Sequence, residues 1–120
     1  MRRIGLVGIV VAVVAVVGCA TAPLRTDDSV AAIRAAEEVG AEGVPRAALH
    51  LQFAKESLAR AIKLANDGYP EQAKSLLTRA EADAELAVLL SREDAQGREA
   101  LQAIERVRQL RQDHPERGRQ

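Results

Sequence analysis

A chain of 120 residues is enough for one small domain and no more. Hydrophobic residues make up 48% of it and charged residues 28%, but aromatics are only 2%, so alanine, leucine and valine must supply any core. Each contact in such a core buries little area. Seventeen basic residues balance seventeen acidic ones, which argues against a nucleic-acid binder that relies on a strong phosphate-neutralising field.

The N-terminus is a different material from the rest. Arg2 and Arg3 form a positive stretch, residues 4–17 are an apolar run of 14, and Gly18 puts a small residue before Cys19, the only cysteine. Charge, length and the small-residue exit describe a secretory signal over residues 1–18. A spanning helix needs about 20 apolar residues. The uncharged stretch does continue to Leu24, which leaves an uncleaved anchor as the alternative.

Val16-Val17-Gly18-Cys19 resembles the bacterial lipobox. That resemblance implies cleavage before Cys19, a diacylglycerol on its sulfur and a further acyl chain such as palmitate on the new N-terminus. A thiol suits the step because its thiolate is a strong nucleophile near neutral pH. Several chains exceed the marginal hold of one, since each buried methylene contributes about 0.8 kcal/mol. Losing Arg2 and Arg3 lowers 17 basic residues to 15 against 17 acidic ones, a net of about −2. Ala20 follows the cysteine where an aspartate signals inner-membrane retention in enterobacterial lipoproteins. The implied destination is the cell envelope, at the outer membrane facing the periplasm.

Residues 19–28 read as the lipidated terminus and a proline-bearing linker, and residues 29–112 as an all-α domain. Asp27, Asp28 and Ser29 are N-cap types, and acidic groups there suit the helix dipole. A short first helix is expected over residues 29–41, with a weak apolar face at Val30, Ile33 and Ala36 and glycines at 40 and 43 to close it. Pro45 suits the first turn of a second helix reaching residue 66. Its seam is Ala47, Leu51, Ala54, Leu58, Ala61 and Ala65, spaced three and four, with Phe53, Ile62 and Leu64 broadening the stripe.

"NDGYP" is the turn into a third helix, with Gly68 able to end one helix and Pro70 to start the next. So short a break makes helices two and three an antiparallel hairpin. The third seam is Ala73, Leu77, Ala80, Ala84, Ala87 and Leu90. Beyond it Ala100, Leu101, Ala103, Ile104, Val107 and Leu110 form a further apolar stripe. Two outcomes are open: one long C-terminal helix to about residue 112 with the stripe as an interface, or a bend near residues 91–97 that buries it. Residues 113–120 hold proline and glycine and no apolar residue, which predicts a frayed tail.

Pro45, Leu49, Ala54, Leu58 and Ala61, then Gly68-Tyr69, Ala73, Leu77, Ala80, Asp83-Ala84 and Ala87, carry a resemblance to a known family. Across residues 30–90 the chain resembles the domain-of-unknown-function 4398 family of small bacterial lipoproteins. The resemblance implies a secreted, lipid-anchored helical protein, with no established activity to carry over. Some relatives place such a segment before an outer-membrane-protein-A-like peptidoglycan-binding domain. No such domain occurs in residues 91–120, so the resemblance does not carry peptidoglycan binding over.

No catalytic, cofactor or metal site is expected. His50 and His114 are far apart in sequence, Glu81, Asp83 and Glu85 point to different helix faces, and Ser57, Ser75 and Ser91 have no histidine at a predictable spacing. The expected function is a non-enzymatic lipid-anchored scaffold or adaptor, acting by self-association or on a periplasmic protein partner. The alternative is an accessory protein touching peptidoglycan or anionic lipid through Arg106, Arg108, Arg111, Arg117 and Arg119.

Overall fold

The computed structural model describes residues 23–113. Within them the chain forms α1 (Asp27–Glu38), a 3-10 turn (Ala41–Gly43), α2 (Pro45–Asn66) and α3 (Pro70–Asp113). The all-α architecture is as expected: a hairpin of α2 and α3, with the short α1 packed on both. The proposed signal segment, Cys19 and the tail from residue 114 lie outside the described residues.

α1 begins and ends earlier than expected. The Val30 N–H already bonds the Thr26 carbonyl at 2.9 Å, so Asp27 and Asp28 lie inside the first turn and favour the dipole rather than cap it. Ser29 is not a cap either. It is buried, and its hydroxyl donates to the Leu77 carbonyl of α3 at 3.0 Å. The helix stops at Glu38 because Gly40 turns left-handed at φ +77°, which lets its N–H reach the Glu37 carbonyl.

α2 opens on Pro45 in its first turn, as the missing N–H dictates. It closes with the two bonds of a Schellman motif: Tyr69 N–H to Leu64 carbonyl at 2.8 Å and Gly68 N–H to Ala65 carbonyl at 3.2 Å. Gly68 holds φ +88°, where a side chain would be strained. Three residues, 67–69, therefore separate α2 from α3, and the helices run antiparallel.

The core divides into two clusters. Near the turn, Ala61 of α2 meets Ala73 and Leu77 of α3. At the other end Ala47, Leu51 and Ala54 meet Ala84, Ala87 and Leu90, with Ile33 and Ala36 of α1 closing the third side. Half-buried Leu58 packs against both. Nine of the thirteen buried apolar residues are alanines, so the helices approach closely while four larger side chains (Ile33, Leu51, Leu77 and Leu90) supply much of the buried area.

The seam expected of α3 is buried residue for residue. That of α2 holds at Ala47, Leu51, Ala54 and Ala61, whereas Leu58 and Ala65 are half-buried. The expected broadening is corrected: Phe53 and Ile62 face water, Leu64 is half-buried, and Ser57 occupies the buried place instead.

α3 does not bend near residues 91–97. It is one helix of 44 residues, about 66 Å at 1.5 Å per residue. A single glycine costs about 1 kcal/mol, too little to end it. Asp94 and Arg98 form an ion pair of 3.0 Å across Gly97, and the buried Ser91 hydroxyl bonds the Ala87 carbonyl at 2.8 Å.

Candidate functional site

The chemistry-bearing residues of the helical body form structural contacts. His50 Nδ1 lies 3.0 Å from Asp83 Oδ1, joining α2 to α3, and Arg79 reaches Asp83 from one turn earlier at 3.7 Å. Neither Glu81 nor Glu85 shares that contact. Lys55 Nζ lies 2.5 Å from Glu37 of α1 and 3.6 Å from Glu42 of the 3-10 turn. The bond to Glu37 above all, with Glu42 adding to it, raises the Lys55 ammonium above its ordinary 10.5. Among the described residues no group of three His, Cys, Asp or Glu side chains is placed to hold a metal ion. No helix there is long and apolar enough to cross a membrane.

The remaining feature is the far end of α3. α2 starts at Pro45, and its neighbour Val44 lies beside Leu90 and Gly97. From residue 95 to 113 every α3 side chain is exposed. Leu101, Ile104, Val107 and Leu110 are 68%, 57%, 48% and 55% exposed. Of the six residues expected to form a contact surface, five share one face: Ala100, Ala103, Ile104, Val107 and Leu110. Leu101 sits to the side, and with Ala100 at the edge of that face it lines a shallow groove beside Val44 and Arg46. Arg108, one of the arginines of the alternative reading, is paired with Glu105 at 2.9 Å.

Heptad spacing relates this face to the body. The buried line of α3 runs Ala73, Leu77, Ala80, Ala84, Ala87, Ser91 and half-buried Asp94, and one heptad on it turns mostly polar at Arg98, Glu105 and Arg108. A second line runs Leu86, Leu89, Glu93, Gln96, Ala100, Ala103, Val107 and Leu110. Successive members lie three and four apart, so they form one stripe roughly opposite the buried line, with Leu89 bordering a groove that it shares with Ala31, Ala32 and Ala35 of α1. Leu86 and Leu89 are 38% and 60% exposed. The sequence reading missed these two, although the same spacing, counted back from Ala100, leads to them.

Thus α3 is apolar inward along its first half and apolar outward at both ends of the second line. Covering a leucine fully contributes about 1.5–3 kcal/mol, whereas an exposed ion pair contributes about 0–1 kcal/mol. Contacts along this line therefore outweigh its charged borders.

No curated protein and no solved structure matches the chain. The family described as Domain of unknown function (DUF4398) matches residues 25–103, which takes in α1, α2 and α3 as far as Ala103. That match covers about two thirds of the 120 residues, and the chain belongs to the DUF4398 family.

Proposed function

We propose that the protein is a bacterial cell-envelope lipoprotein, acylated at Cys19, whose helical domain is a non-enzymatic scaffold or adaptor working through protein–protein contact. The observation that carries the scaffold reading is the exposed apolar face on a rigid helix end that α1 and α2 leave uncovered. An exposed apolar stripe of this kind marks an association site. The anchor rests on the positive start, the apolar run and Val16-Val17-Gly18-Cys19. The domain begins only a few residues later, at Asp27, so an anchor at Cys19 holds it close to a membrane surface. The outer membrane, on its periplasmic side, is the proposed location, by the residue that follows Cys19.

Cells fed labelled palmitate test the anchor. The parent chain should carry label and sediment with membranes, whereas Cys19→Ser should carry none and accumulate as a longer precursor. Equal processing and equal label in both would refute acylation at Cys19.

A further inference from the structure

The two water-facing ends of the outer line on α3 complement each other. Laying a second copy of α3 antiparallel along it, with the two-fold axis at the level of Gly97 and Arg98, sets Leu86 against Leu110 of the second copy and Leu89 against its Val107. The polar middle is matched as well: Glu93 meets Ala103 and Gln96 meets Ala100, small partners that leave the longer side chains room to turn outward. A parallel, in-register pair instead sets Glu93 against Glu93. Sliding the antiparallel pair by one heptad sets Glu93 against Leu110 and Gln96 against Val107. Only the first alignment keeps the leucines and the valine together without setting Glu93 against itself.

Gly97 supplies an independent observation. A Cβ built there meets nothing within 4 Å, so packing within the chain gives no reason for a residue that weakens a helix interior. In the antiparallel pair Gly97 faces Gly97 across the axis, where two missing side chains let the backbones approach. One flank sets Arg92 against Arg106 and Glu99 against Glu99, like charges at an exposed rim, where salt screens them. α1 and α2 bury the Ala73–Leu90 line on the other side of α3, and α1 borders the paired face at Leu89 and Arg92.

We propose that the occupant of this face is a second copy of the chain, packed antiparallel along residues 86–110 of α3. The proposal rests on the scaffold reading and deepens it by naming the partner.

The test uses the full-length chain in membranes of cells that make it, treated with a short-arm bismaleimide. Glu99→Cys, which faces itself across the axis at the exposed rim, should give severalfold more crosslinked dimer than the parent, whose one cysteine is Cys19, or than Gln102→Cys, which points away from the line. Adding either Leu89→Glu or Val107→Lys to Glu99→Cys should abolish the band. Adding both should restore it, because each new carboxylate then faces a new ammonium. Raising salt should increase the dimer of the Glu99→Cys chain, as the remaining Arg92–Arg106 repulsion is screened.

A Glu99→Cys yield no greater than that of Gln102→Cys overturns the proposal, as does failure of the double variant to restore the band. So does a crosslink to a different protein, or a yield that falls with salt, the sign of the shifted register and its opposite-charged rim. Palmitate label on the same samples separates the two readings. Label without crosslink sinks the dimer alone, and crosslink without label sinks the anchor alone.

Discussion

Leu51→Ala is the sharpest test of the helical body, because Leu51 is only 2% exposed in a core made mostly of alanine. The change removes three carbons. At about 0.8 kcal/mol per buried methylene, the transfer loss alone is about 2.4 kcal/mol. A cavity adds to this unless neighbours move in to fill it. Here they cannot do so easily: Ala47, Ala54, Ala84 and Ala87 in the same cluster have no rotamers with which to reach into the space. The expected loss is therefore about 3–5 kcal/mol, toward the upper part of the range for such changes. With a urea slope of about 1 kcal/mol per molar for a small domain, the midpoint followed by far-ultraviolet circular dichroism should fall by about 3–5 M. Leu110→Ala, made in the projecting half of α3 and melted at a concentration too low for association, should shift the same transition by less than about 0.5 kcal/mol. A Leu51→Ala midpoint within about 0.5 M of the parent would refute the packing, and a large effect at Leu110 would show that the far end of α3 belongs to the folding unit.

Two further outcomes follow from the contacts of α1. Ser29→Ala gains up to about 0.5 kcal/mol of helix propensity but loses the buried bond to the Leu77 carbonyl, which contributes about 0.5–1.5 kcal/mol. The net should be a small destabilisation in urea, and a variant more stable than the parent would show that the bond adds nothing. Lys55 is held above its ordinary 10.5 by Glu37, and then Glu42. A raised lysine stabilises the fold fully below its unfolded value and loses that contribution as pH rises through the folded one. Its side chain is 44% exposed, so the effect is a few tenths of a kcal/mol. The stability gap between the parent and Lys55→Gln should hold steady from neutral pH to about 10 and close above that range. A gap that closes well below pH 10 contradicts the assignment to the lysine.

Much of this fold was legible because its apolar spacing is regular. Alanines and leucines three and four apart in residues 73–90 can bury only one side of a helix, and that side is the buried one. Pro45 and Gly68 mark their boundaries by steric rules that tertiary context does not override. The start of α1 was less legible: Asp27 and Asp28 satisfy the helix end equally well as caps or as first-turn acids, and the Thr26 carbonyl decides between them. Ser29 and Ser57 were missed since a hydroxyl gives no hydrophobic signal, although a small side chain fits between closely approaching helices. Phe53 and Ile62 were misplaced for the converse reason. Both border the seam of α2, and with α1 already covering one side of the pair, no element among the described residues covers them.

The interaction face shows what spacing alone leaves undecided. Residues 91–97 are polar, and a polar stretch between two apolar ones reads equally well as a bend or as a change of exposed side. Backbone cost separates the two: a bend forfeits several helical bonds, whereas continuing through Gly97 costs about 1 kcal/mol. α3 therefore continues, and its inward apolar line gives way to the outward one where α2 runs out at Pro45. Leu86 and Leu89 show that the outward line starts earlier, behind the folded body rather than beyond it. A helix needing only to complete the hairpin has no use for leucines on that side. Their place in the same heptad line as Ala100, Ala103, Val107 and Leu110 joins the body and the projecting end into one surface, long enough to take another helix.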